Sequence, residues 1–245
     1  MRPVRRGDSP QQDDFDPYAK AQPFLISRLG PYCSYCERRI STSLAVEHIQ
    51  PKGLPAFAHL EGSWENYLLA CVNCNSTKKD KNVVLQDILL PDRDNTFAAY
   101  AYTKDGRVVP SQASIAAGFQ AMASATLKLT GLDRQSSVVV DENGKEIALD
   151  RAAQRKEVWL VAIDASNDIA AEPESQGLRN ATVRTALGYG FFSIWMAAFS
   201  NDLDMRLRFI KAFSGTEESG CFDAVTTQLV SPAPNPDGLV GGAKL

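Results

Sequence analysis

The chain has 245 residues, a net charge of −3, 44% apolar and 22% charged residues, the composition of an ordinary globular protein able to bury a core. That balance excludes a basic nucleic-acid coat and an acidic tail protein, so any affinity for nucleic acid must be local. The longest apolar run, Tyr189 to Phe199, falls well short of the roughly 20 residues of a membrane span, and the charged start lacks a secretory signal. A cytoplasmic protein with no membrane partner is expected.

Residues 1–23 are polar, with Gln11, Gln12, Asp13, Asp14 and Asp16 close together. The lack of a periodic apolar face there predicts a loosely held, flexible arm. Residues 24–95 gather four cysteines, both histidines and most turn punctuation into one predicted domain. Residues 96–215 read as a mostly helical accessory or docking region.

Within that region, β-prone runs around Asp105-Gly106 and around Asn143-Gly144 (Phe97 to Val109 and Val138 to Leu149) predict two short hairpins. Ile115, Phe119, Met122 and Leu129 follow helical spacing and end at Gly131, a C-cap signal. Asp150 reads as the N-cap of a second helix through Trp159 and Ile163. A third helix is expected from about Gly177 to Ser200, and a fourth with Leu203, Leu207 and Ile210 on one face. Residues 216–245 end in a Pro- and Gly-rich stretch, Val230 to Leu245, that predicts a disordered tail.

Five cysteines cannot pair completely, and four form two Cys-x-x-Cys pairs, Cys33/Cys36 and Cys71/Cys74. Two such pairs can place four thiolates at the corners of a tetrahedron, the closed arrangement of a structural zinc. The alternative is a set of core or redox cysteines. Cys221 stands alone.

Between the pairs, Ala45-Val46-Glu47-His48-Ile49 is a β-prone run ending in adjacent carboxylate and imidazole, followed by Pro51-Lys52. Trp64 to Cys71 reads as a second strand, and Asn73-Cys74-Asn75-Ser76-Thr77-Lys78-Lys79 as the start of a polar, basic helix. Taken with the flanking cysteines, this stretch resembles the HNH endonucleases, in which a β-hairpin and a helix grip one divalent metal. The resemblance implies an α+β fold: a zinc-stabilised ββα-metal (HNH) core with a mainly α-helical C-terminal region.

On this resemblance His48 falls on the general base, Asn66 on the central asparagine, Asn75 on the third signature residue and Glu47 on the acidic position before the base. Two departures are visible: Asn75 stands where many members have histidine, and Glu47 where aspartate is common. Both supply oxygen, which suits a catalytic Mg²⁺ or Mn²⁺. The implied roles are proton acceptance by His48, metal ligation by Glu47 and Asn75, and orientation of His48 by Asn66. Lys52, Lys78 and Lys79 are candidate phosphate contacts, or else a solvated face.

Within this group, Cys33 to Glu37, Glu47 to Lys52 and Leu69 to Asn75 look like the nuclease subunit of the Septu type of bacterial anti-phage system. That implies cleavage of nucleic acid, DNA above all, under the control of an ATPase partner. The competing readings are a stand-alone restriction-type nuclease for modified DNA, and a zinc-stabilised binding module that cuts nothing.

Overall fold

The computed structural model describes residues 1–134, 139–144, 147 and 150–245. Helix α1 (Gln22–Leu29) carries a proline in its first turn, where no backbone donor is needed, and stops at Gly30. Strand β1 (Ala45–His48) pairs antiparallel with β2 (Tyr67–Ala70), matching Ala45 to Ala70 and His48 to Tyr67. Helix α2 (Val72–Lys78) follows β2 after a single residue, Cys71. β2 is buried along its whole length and α1 packs against it, so the hairpin is core, not surface.

Helix α3 (Thr96–Ala99) is capped by the Asn95 side chain, which accepts from Ala98 N. A second small sheet, β3 (Tyr100–Tyr102) and β4 (Val108–Pro110), turns at Asp105-Gly106 as expected. The helix predicted around Ile115 to Leu129 is divided into α4 (Gln112–Ala116) and α5 (Gln120–Thr130), because Gly118 enters the left-handed region at φ 82°. Gly131 ends α5 in left-handed conformation and its N–H closes back on Leu127 and Lys128.

Asp150 caps α6 (Arg151–Ala171) by accepting from Ala152 N and Ala153 N. The hairpin expected over 138–149 lies largely outside the described residues. At its tip, Gly144 N donates to Asp141 O and Ile147 N to Val139 O.

The single helix expected from Gly177 to Ser200 is instead α7 (Gln176–Tyr189) and α8 (Phe192–Ala198). The break lies at Gly190, which bridges to Arg38, and a Cβ there would stand 2.3 Å from the Glu37 carbonyl oxygen. Close approach of two backbones therefore overrides the helical pattern. Helix α9 (Leu203–Ala212), capped by Asp202, buries Met205, Phe209 and Ile210, while Leu203 is exposed. The buried face is thus rotated from the one read in the sequence.

Among the described residues, two apolar cores result. One joins the N-terminal segment, α1, the β1–β2 hairpin and α5; the other joins α6 to α9 around Trp195 and Phe209.

Both expected loose ends are packed. Met1, Arg2, Val4 and Arg6 are buried. The Arg2 guanidinium donates to Ser214 O, Thr216 Oγ1 and Leu29 O, and that of Arg6 to Tyr67 O, Glu65 O and Asp92 Oδ2. These partners come from distant parts of the chain, so the polar composition of the segment gave no sign of them. In the C-terminal segment Ala233, Leu239 and Leu245 are buried. It is held by Leu245 O accepting from Asn95 N and by Val240 O accepting from Arg93 Nη1.

Among the described residues, no helix is long and apolar enough to cross a membrane.

Candidate active site and metal centre

Two tight turns bring the cysteine pairs together. Cys33 to Cys36 lies along β2 through Ser34 N to Leu69 O (2.8 Å), while Cys71 and Cys74 stand at the start of α2. All four are buried, and their sulfurs lie within 4.8 Å of one another, with Cys36 Sγ 3.7 Å from Cys71 Sγ. Four sulfurs about 2.3 Å from one zinc stand about 3.8 Å apart, so the spacing fits that ion.

The electrostatics agree. Hydrogen bonds from Cys33, with Cys74 in support, hold Cys36 below the ordinary thiol range against the opposing pull of Cys71, and those from Cys33, Cys36 and Cys74 hold Cys71 below it. Burial pushes Cys33 up, and the neighbouring thiols push Cys74 up. Four thiols confined together cannot all ionise without a central cation. Four buried cysteines that can bind a structural zinc are the result.

Glu37, directly after the Cys33 to Cys36 turn, adopts φ 63° and ties that turn to the rest of the molecule. Its carboxylate accepts from Ser193 N (2.8 Å), Ser193 Oγ (2.6 Å) and Tyr102 Oη (3.0 Å) and faces the Met1 amino group at 3.1 Å. Burial pushes Glu37 up, but the amino group and the Ser193 bonds outweigh it and hold the carboxyl below its ordinary range.

β1 ends on Glu47 and His48. His48 Nε2 lies 2.9 Å from Glu61 O. A carbonyl only accepts, so the neutral ring carries its proton on Nε2 and leaves the Nδ1 lone pair free. Burial lowers the His48 pKa from its ordinary 6.5, against the opposing pull of the Glu61 carbonyl, so the ring is neutral at neutral pH. Its faces are fixed by Tyr67 at 5.2 Å and Tyr18 at 4.8 Å, both edge-on.

The Asn66 side chain makes its hydrogen bonds to Gln50 and Leu60 and not to His48. Its Oδ1 accepts from Gln50 N (2.8 Å), and its Nδ2 donates to Gln50 O (2.9 Å) and Leu60 O (3.3 Å). Tyr67 Oη donates to Glu61 O at 2.6 Å. Asn66 thereby locks both ends of the loop between β1 and β2, and with Tyr67 fixes the carbonyl that orients the imidazole.

Glu47 is 3% exposed. Its Oε1 lies 2.8 Å from Lys78 Nζ and 3.4 Å from Tyr35 Oη. Burial raises its carboxyl, and the Lys78 charge opposes the rise. Asn75 lies half-buried on α2, three residues before Lys78, and side chains at that spacing share a helix face. A carboxylate and an amide oxygen are donors of the kind that suit Mg²⁺ or Mn²⁺.

Residues 33–81 match the HNH endonuclease family model. The HNH match spans both cysteine pairs, β1, β2 and α2, and leaves the rest of the chain outside it. No curated protein matches the chain.

One expected contact is corrected. Lys78 is 2% exposed, with Nζ 2.7 Å from His48 O as well as against Glu47, so it cannot reach a phosphate. Its spacing of four from the buried Cys74 placed it on the inner face of α2, a signal available in the sequence. Lys79 is exposed, and Lys52 pairs with Glu61 beneath the Tyr18 ring. Sequence reasoning missed the site neighbours Tyr35, Glu61 and Tyr18; Tyr18 comes from the segment read as a loose arm and carries no motif.

Proposed function

We propose that the chain is a metal-dependent endonuclease that hydrolyses phosphodiester bonds, with DNA the favoured substrate. The observation that supports this most is the state of His48: a neutral imidazole whose Nε2 is engaged by the Glu61 carbonyl, directly after the buried carboxylate of Glu47 in β1.

His48 Nδ1 takes a proton from the attacking water. Asn66, acting through the loop at Leu60 and Gln50, keeps the ring aimed and is a positioning residue. Glu47 and Asn75 would hold Mg²⁺ or Mn²⁺, which would supply charge neutralisation at the scissile phosphate and the departing oxygen. Lys52 and Lys79 stand at the exposed rim and contact flanking phosphates. The cysteine cluster carries the hairpin and helix and takes no part in the chemistry.

The test is cleavage of plasmid DNA and of RNA by the purified, zinc-loaded protein, with Mg²⁺ or Mn²⁺ supplied or withheld. Metal-dependent cutting supports the reading. No cutting of either polymer, with the protein folded, favours the binding module. A defence role under an ATPase partner rests on the resemblance of residues 33–37, 47–52 and 69–75 alone; stable co-purification with an ATPase tests it.

A further inference from the structure

The nuclease reading leaves Lys78 without a role. A buried lysine is costly unless its charge is met, yet this one is placed with two short contacts on consecutive site residues, Glu47 Oε1 at 2.8 Å and His48 O at 2.7 Å. It comes from α2, the element that also carries Asn75.

The charged contacts around the expected ion site then cancel in pairs. Glu47 is cancelled by Lys78, Asn75 is neutral, His48 is neutral in its working form, and Lys52 and Glu61 cancel each other at the rim. Lys79 adds positive charge from solvent. Behind Cys74 the thiolate cluster is negative, but Arg151 Nη1 stands 2.9 Å from the Cys74 sulfur and offsets part of that charge. Affinity for a hard divalent cation follows the charge and number of its oxygen ligands, and here one carboxylate is shared with an ammonium.

We propose that Lys78 keeps Glu47 in a neutral ion pair, so that the divalent ion binds together with the nucleic-acid phosphate and not to the protein alone. The inference rests on the nuclease reading. The phosphodiester supplies the missing negative charge and a further oxygen ligand, and both known contacts of Glu47 fall on Oε1, leaving Oε2 for the ion. By linkage, ion and nucleic acid each strengthen the other's binding by the same factor. Lys78 is a positioning residue that sets the order of assembly.

The experiment is titration of Mn²⁺, read as the free-ion paramagnetic signal, into zinc-loaded His48→Ala protein with and without an uncut duplex DNA oligonucleotide, with DNA alone subtracted. DNA is expected to tighten Mn²⁺ binding at least about tenfold. In the Lys78→Met background Mn²⁺ binds without DNA at least about tenfold more tightly, and Lys78→Arg, which keeps the charge, does not. If Lys78→Met fails to fold, the DNA dependence measured with Lys78 in place still decides.

Equal Mn²⁺ affinity with and without DNA, or no gain in folded Lys78→Met, overturns the proposal. If the intact protein nevertheless cuts DNA, the nuclease reading stands. Absence of any bound Mn²⁺ together with absence of cutting overturns both.

Discussion

Arg151, the first residue of α6, donates through Nη1 to the Cys74 sulfur at 2.9 Å. The same guanidinium donates to Thr130 O (3.0 Å) and Gly131 O (2.6 Å), so one side chain joins the cysteine cluster, the C-cap of α5 and the start of the helical region. Arg151→Met leaves two carbonyls unpaired and removes the charge facing a thiolate. Stability should fall by about 2–3 kcal/mol, and zinc should pass to a chelator faster than from the intact protein. Denaturant unfolding and chelator-exchange kinetics check both.

One zinc per chain is expected on purified protein, and Cys71→Ser or Cys74→Ser should lose it along with the hairpin and α2 fold. Structural zinc in such sites carries folding free energy outright. Metal analysis with far-ultraviolet circular dichroism reads the outcome; a full fold with no zinc would contradict it.

Asn66→Ala should cost about 2–4 kcal/mol, because the Gln50 N–H and the Gln50 and Leu60 carbonyls lose their partner in a closed loop. The effect on cleavage should exceed that on DNA binding, since the loss acts through the orientation of His48. Comparing kcat with the affinity for DNA separates these.

Asp92 is buried between Arg6 (2.8 Å) and Arg93 (2.9 Å). Burial pushes its carboxyl up, but the two guanidiniums prevail and hold it below its ordinary 3.8. The unfolded chain therefore binds the proton more readily, and the contribution is present above that value and lost as pH falls through the depressed one. Asp92→Asn should lower stability at neutral pH by about 3–5 kcal/mol and flatten the acid limb of stability, as pH-dependent unfolding will show.

The His48 pKa lies below 6.5 because burial disfavours its charged form. A base works when neutral, so kcat/KM should hold down to pH 6.5 and fall only below it. The unfolded chain takes up this proton first, so stability too declines as pH drops below 6.5. Initial rates across pH, at saturating Mg²⁺, test the first point.

The parts of the fold read correctly from sequence depend on short-range chemistry. Cys33, Cys36, Cys71 and Cys74 announce their cluster by spacing, Asp150 and Gly131 announce a cap, and Glu47-His48 ends a recognisable strand. What was not legible depends on partners far along the chain. Arg6 meets Tyr67 and Asp92, Leu245 meets Asn95, and Gly190 meets Glu37. Local polarity suggested loose ends where guanidiniums and carbonyls in fact lock the termini. Tyr18 was missed for the same reason, whereas Lys78 was misplaced although its spacing from Cys74 pointed inward.

The most direct test is the product gel for plasmid DNA with Mg²⁺ or Mn²⁺, run with intact protein beside His48→Ala of equal zinc content and unchanged fold. Cleavage by the intact protein that falls at least about a hundredfold in His48→Ala is the predicted result. Equal cleavage by the two proteins would contradict the assignment of His48 as the base.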